Sequence, residues 1–148
     1  MRMTLHTEYA LRMLIYMATR PDGFCTTGDV AQAYGLSRNH LIKVMQTLRD
    51  LGLVETVRGR AGGMRLARLP EDIGIGPLVR ATEEDFSIAE CMQAAGRPCV
   101  ISPACQLKTM LHEALAAFLS VLDKYTLADI VRNKHLLGPL LGIDARAA

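Results

Sequence analysis

Three of the four cysteines lie in one stretch, C-M-Q-A-A-G-R-P-C-V-I-S-P-A-C, at Cys91, Cys99 and Cys105, a C-x7-C-x5-C spacing. Gly96, Pro98 and Pro103 interrupt the stretch, so it reads as a loop rather than a helix. A loop can bend three sulfurs towards one point, which a straight helix cannot do at these spacings. Thiolates are soft ligands that suit an iron–sulfur cluster, zinc or copper(I). A closed zinc site wants a fourth firm ligand from Cys or His. His6, His112 and His135 lack ligand-like spacing to the cysteines, and His40 falls on another helix. A bare thiol switch, with a disulfide formed among Cys91, Cys99 and Cys105, uses the same residues. Cys25 stands alone in a different loop and reads as a partly buried bystander.

The elements around this loop point to DNA. Residues 5–19 carry Leu11, Leu14, Ile15 and Ala18 at helical spacing, with Thr4 as cap and Pro21-Asp22-Gly23 as stop. Glu8 and Arg12 are four apart on that helix, a spacing that also suits a plain surface ion pair. Residues 27–34 form a short helix ended by Gly35, and Ser37 opens a longer one that stops at Gly52. Leu41, Val44, Met45 and Leu48 make the buried stripe of the longer helix. Short helix, tight glycine turn and longer helix form a helix-turn-helix. Ser37, Arg38, Asn39, His40 and Lys43 then stand on the exposed first turns of the recognition helix. Arg matches guanine and Asn matches adenine by bidentate geometry. Arg38 at the positive end of the helix dipole is locally unfavourable, which favours a function over a merely solvated face.

Strands over 54–58 and 64–69 flank the tip R-G-R-A-G-G-M-R. This hairpin is a wing that offers Arg58, Arg60 and Arg65 as charges, and Gly62 and Gly63 for close backbone approach to the duplex. From Ser37 to Arg68 seven Lys/Arg face two acids, a net +5, whereas Leu69 to Glu90 has one Arg against six acids, a net −5. The first region can meet phosphates and the second cannot. A short helix follows over 75–83. The longest helix runs from about Ala104 to Lys124, where Leu107, Leu111, Ala114, Phe118, Val121 and Tyr125 form a coiled-coil-like seam. One flank of it can pack on its own domain and the other on a second copy, giving a homodimer suited to a near-palindromic double-stranded operator. Thr126 caps a last short helix, and residues 142–148 read as a loose tail.

The fold expected is mainly α with a small β-hairpin: a winged helix-turn-helix plus a long C-terminal dimerisation helix. Its parts are a DNA-binding domain over 1–83, a cysteine loop over 84–105, and the dimerisation helix and tail over 106–148. No apolar run reaches the length of a membrane span, and the charged N-terminus lacks a signal-peptide pattern, so a cytoplasmic location is expected. No nucleophile–base pair or phosphate loop appears, so the chain does not read as an enzyme.

The chain resembles the iron–sulfur winged-helix repressors of the IscR, NsrR and RirA type. The likeness covers nearly the whole chain. It rests on T-E-Y-A-L-R-M-L-I-Y-M-A, V-E-T-V-R-G-R-A-G-G-M-R-L, P-E-D-I-G-I-G and three cysteines before a long helix. S-R-N-H-L-I-K-V, C-V-I-S-P-A-C and L-D-K-Y-T-L-A-D-I-V place it nearest the nitric-oxide-sensing branch. The iron-responsive branch shares the wide C-x7-C spacing, and a cluster-status regulator is the other alternative. The resemblance implies that Cys91, Cys99 and Cys105 bind a cluster, 4Fe–4S in the sensing form, with 2Fe–2S the other nuclearity. It implies a fourth ligand from the first helix of the partner subunit, at the position of Glu8. Relatives usually carry Asp there, so Glu8 is a departure, one methylene longer. The histidine that IscR-type proteins place just after the third cysteine is absent, since Gln106, Leu107 and Lys108 follow Cys105.

Overall fold

Polar caps and glycine stops divide the first fifty residues into three helices. The computed structural model describes residues 2–21, 23–57, 62–93, 95–96 and 99–143. Helix α1 spans Leu5–Thr19 and starts where the Thr4 side chain accepts from Thr7 N–H. Helix α2, Thr27–Tyr34, opens with a reciprocal capping box between Thr26 and Asp29 and ends at Gly35 with φ 64°. Helix α3, Arg38–Asp50, ends before Gly52, φ 66°. Ser37 occupies the N-cap position of α3, but its hydroxyl makes no capping bond to the helix.

The hairpin pairs β1, Val54–Val57, with β2, Gly63–Leu66, antiparallel in the register Val54↔Leu66 and Val57↔Gly63. The second strand is shorter than the expected 64–69. Ala67 N–H still bonds Leu53 O in the hairpin's register, but the Leu53 N–H turns back to Leu48 O, which ends the ladder, and Pro70 opens a single 3₁₀ turn, Pro70–Asp72. Cys25 is buried, and its backbone pairs with Met64 on the open edge of β2. A Cβ at Gly63 would lie 2.6 Å from Cys25 O and 2.7 Å from the Phe24 ring, so only glycine lets the strand pass.

Helix α4, Ile75–Thr82, leads through the acidic segment to the cysteine loop and helix α5, Gln106–Leu122. Short helices α6, Leu127–Ile130, and α7, Lys134–Leu140, close the chain. Thr126 caps α6 in a second capping box, with Asp129. Helix α7 was not expected. It contains Pro139 in its last turn and packs on α1. Ile143, at the start of the expected loose tail, is buried, while residues 144–148 lie outside the described ones.

The core forms where α1 meets α3. Met13, Leu14 and Met17 of α1, Leu41, Val44 and Leu48 of α3, Val30, Met64 and Leu127 are all 2 % exposed or less. Burying each such side chain stabilises the fold by roughly 1.5–3 kcal/mol. The C-terminal segment joins this core through Leu127, Val131 and Ile143. Helix α5 packs against α4, where Arg80 donates to both carboxylate oxygens of Asp123 at 2.5 and 2.8 Å. Gly76 makes that contact possible, because a Cβ there would meet Asp123 Oδ1 at 1.9 Å. The architecture is thus mainly helical with one two-stranded wing, as expected.

Candidate DNA-reading face and thiol loop

Burying Leu41, Val44 and Leu48 turns the opposite side of α3 to solvent. Ser37, Arg38, Asn39, His40 and Lys43 are all exposed on its first two turns. Beside them rises the wing. Arg65 is exposed and ion-paired across the strands with Glu55, its register partner. Gly62 and Gly63 line a groove between α3 and the wing, together with Arg38, Thr26, Thr27 and Thr56. Arg58 and Arg60, the two other expected wing cations, lie outside the described residues. The geometry places one helix face and one hairpin on the same side of the core, as a winged helix does.

Helix α1 meets this face from behind, through residues that pattern reasoning passed over. His6 Nε2 is 3.1 Å from Thr47 Oγ1 of α3. The Tyr9 and His40 rings lie 6.3 Å apart between centroids, tilted by 36°. Arg12 is 3.4 Å from Glu8 and 5.8 Å from the ring centroids of both Tyr9 and Tyr34. Burial pushes the Tyr34 hydroxyl above its ordinary pKa, and the nearby Arg12 charge opposes that shift. The signal available in the sequence was the i,i+3 spacing of His6 and Tyr9 around Glu8, but nothing there shows that they face α3.

The thiol loop is built from tight turns. Cys91 sits in a 3₁₀ turn, Glu90–Met92, and Cys105 is the N-cap of α5 just after a second such turn, Ser102–Ala104. At Gly96 the loop folds back on itself so closely that a Cβ would stand 2.0 Å from Glu90 O. Cys91 and Cys105 are half-buried, Cys99 is exposed, and all three are free thiols. They are not gathered: among the described residues no three Cys, His, Asp or Glu stand together as a metal site. Glu8 likewise belongs to no such group within one copy. The donor set fits an iron–sulfur cluster in kind, with three soft thiols on one compact loop. To hold it, the loop must draw the thiols together.

Residues 3–133 match the Rrf2 family, described as "Iron-dependent Transcriptional regulator". The chain belongs to the Rrf2 family. It is 53% identical over 142 residues to the HTH-type transcriptional regulator NsrR of Bacillus subtilis, covering 95% of this chain and 97% of that protein. It is 42% identical over 144 residues to protein aau3 of Rhizobium meliloti, covering 97% of this chain and 94% of that protein. Among solved structures, T. potens IscR superposes with a TM-score of 0.70 at 28% identity, over 90% of this chain and 88% of that one. CymR, the global cysteine regulator of B. subtilis, gives 0.72 at 26% identity, over 90% and 98%. This Rrf2 protein is accordingly a transcriptional regulator and not an enzyme. No helix among the described residues is long and apolar enough to cross a membrane.

Proposed function

We propose that this Rrf2 protein is a DNA-binding repressor that senses nitric oxide through an iron–sulfur cluster and releases its operator when the cluster is modified or lost. The observation that carries this reading is the trio of free thiols on one loop in a chain 53% identical to an NsrR. Cys91, Cys99 and Cys105 would hold the cluster as thiolates, and Glu8 of the partner subunit would be the fourth ligand. When bound, the cluster supplies iron that small ligands such as nitric oxide can attack. Three thiolates and one oxygen ligand hold one iron less firmly than four thiolates do. A 4Fe–4S group is preferred, and 2Fe–2S remains the other nuclearity.

A second copy would pack on α5 and the turn that follows it, where Leu107, Met110 and Val121 of the helix and Tyr125 of the turn are 60, 62, 48 and 48 % exposed. Leu115, Phe118 and Leu122 of the helix are half-buried. In the dimer, Ser37, Arg38, Asn39, His40 and Lys43 of each copy would enter successive major grooves of a near-palindromic operator. Arg65, Arg58 and Arg60, with Gly62 and Gly63, would meet the backbone or minor groove. A Glu8 drawn across the dimer ties α1 of one copy to the loop of the other. Since α1 packs on α3, losing that tie changes how the two recognition helices are held. The protein works in the cytoplasm, where thiols stay reduced.

The family description as iron-dependent favours a second reading, in which the signal is iron supply. Anaerobic titration of the iron-loaded protein separates the two, with visible absorbance and operator binding followed together. The first reading predicts bleaching and DNA release at a few nitric oxide molecules per cluster. A cluster that resists nitric oxide but is lost to an iron chelator, with DNA release, replaces it by the second. A protein that never takes up iron and sulfide defeats both.

A further inference from the structure

The tip of the thiol loop is a tight turn made of residues that solvated turns avoid. Ser102 N–H donates to Cys99 O at 2.9 Å, which closes a β-turn over Cys99–Ser102 with Val100 and Ile101 at its centre. Ile101 has φ −89° and ψ 0°, the third position of a type I turn. Glycine, proline and short polar residues dominate such turns. Here two β-branched apolar side chains stand at the centre instead, 96 and 63 % exposed. Leu107 and Met110 carry exposed apolar surface on from the tip into the first turns of α5. Apolar surface that recurs in this way marks a binding face rather than scatter.

A cleft of about 300 Å³ lies where the head of α1, helix α4 and helix α5 converge. Met3, Val79, Phe86 and Phe118 give it apolar walls, and Glu83 and Asp85 give it an acidic edge, against the one cation Arg2. Its edge is held in place: Glu83 Oε1 accepts from Thr4 N–H at 2.8 Å, and Asp85 Oδ1 accepts from Ser87 N–H at 2.8 Å. Residues 91–108, which carry the apolar tip, contain Arg97 and Lys108 and no acid. Tip and cleft are thus matched in both apolar character and charge. We propose that in the homodimer the Val100-Ile101 tip of each copy seats in this cleft of the other. Two-fold symmetry makes the contact twice. The inference rests on the proposed dimer, and it agrees with Glu8 of the partner subunit as a ligand. Met3 stands at the head of the helix that carries Glu8, about 8 Å away along its axis, and Val100 directly follows Cys99. A partner helix that brings a carboxylate to Cys99 therefore brings its cleft to Val100. Seating the tip moves Cys99, the exposed thiol of the three, from open solvent to the subunit junction.

The test uses the full-length protein, purified anaerobically, with the photoreactive residue benzoylphenylalanine in place of Ile101. Dimers are assembled from a mixture of ordinary chains and chains labelled with heavy nitrogen. Irradiation should join residue 101 of one label to a peptide carrying Met3, Phe86 or Phe118 of the other label, read by mass spectrometry of the digest. A second measurement avoids the bulky probe. Ile101→Ala and Phe86→Ala should each raise the dimer dissociation constant about tenfold in sedimentation equilibrium, and the double variant should dissociate no more readily than the weaker single one. Links confined to one chain mean that the tip folds onto its own cleft, and they overturn the proposal. Links to other segments of the partner overturn it too, as do additive losses in the double variant. A wild type that stays monomeric overturns the dimer reading and the proposal with it. A dimer whose links fall elsewhere removes this contact alone and leaves the repressor reading standing.

Discussion

The winged-helix half and the thiol-loop half of this molecule are built on different terms. Among the described residues, those up to Thr82, joined by Leu127, Val131 and Ile143, contain every buried side chain, whereas none from Glu83 to Thr126 is buried. The first half holds its shape through its own core. The second is a loop of tight turns and a helix with an exposed apolar flank, and its stability must come from what it meets. A reader of DNA benefits from a preformed surface. A sensor benefits from a segment whose order depends on its ligand.

Breaking the first half should have the largest effect. Leu48→Ala, at a fully buried site where α1 and α3 meet, should cost about 2–5 kcal/mol in chemical denaturation, with operator binding lost as the fold weakens. The second half should respond in the opposite manner. Cys105→Ser should drop iron and sulfide content to background, while the denaturation midpoint of the cluster-free protein moves little, since that thiol contributes nothing to the core. Next comes the exposed flank of α5. Leu107→Glu or Met110→Glu should convert a dimer to monomer in sedimentation equilibrium with the helical circular dichroism retained; a mass that stays dimeric moves the interface elsewhere.

At the junction of the halves, Gly76→Ala places a methyl where Asp123 Oδ1 stands and should cost about 1–3 kcal/mol by displacing the Arg80–Asp123 pair. Acid supplies the smallest effect. The Arg80 hydrogen bond holds Asp123 below its ordinary carboxylate pKa, and the Thr126 backbone bond does the same for Asp129. Both groups therefore favour the folded state above the unfolded carboxylate value of 3.8, and that contribution fades as pH falls through their lower folded values. Melting curves between pH 5 and pH 2 should show a downward shift that is reduced in the Asp123→Asn variant. An equal shift in that variant would remove Asp123 from the account.

Much of the first half was legible because its signals are local. Thr4 and Thr126 cap helices, Gly35 and Gly52 end them with positive φ, and the Leu41–Val44–Leu48 stripe faces inward, all as residue type and period dictate. Helix α7 has no side-chain cap at Asn133 to announce it, and Pro139 falls in its last turn, where the helix is already ending. The pairing of Cys25 with Met64 has no period to detect, being a single bridge between distant segments. Contacts between helices, such as Tyr9 with His40, are likewise invisible to spacing along one helix. For the thiol loop the sequence showed the donors and the bends but not their distance. Free energy from a bound group, rather than local preference, is what would bring Cys91, Cys99 and Cys105 together.

Amide hydrogen exchange on the anaerobic protein, with and without its cluster, tests the contrast between the halves most directly. The account predicts that loading protects residues 83–105, the start of α5 and the first turns of α1, while the core amides of α3 and β2 exchange equally slowly in both states. If removing the cluster instead exposes α3 and β2 to fast exchange, the winged-helix half is not self-supporting and the division proposed here is wrong.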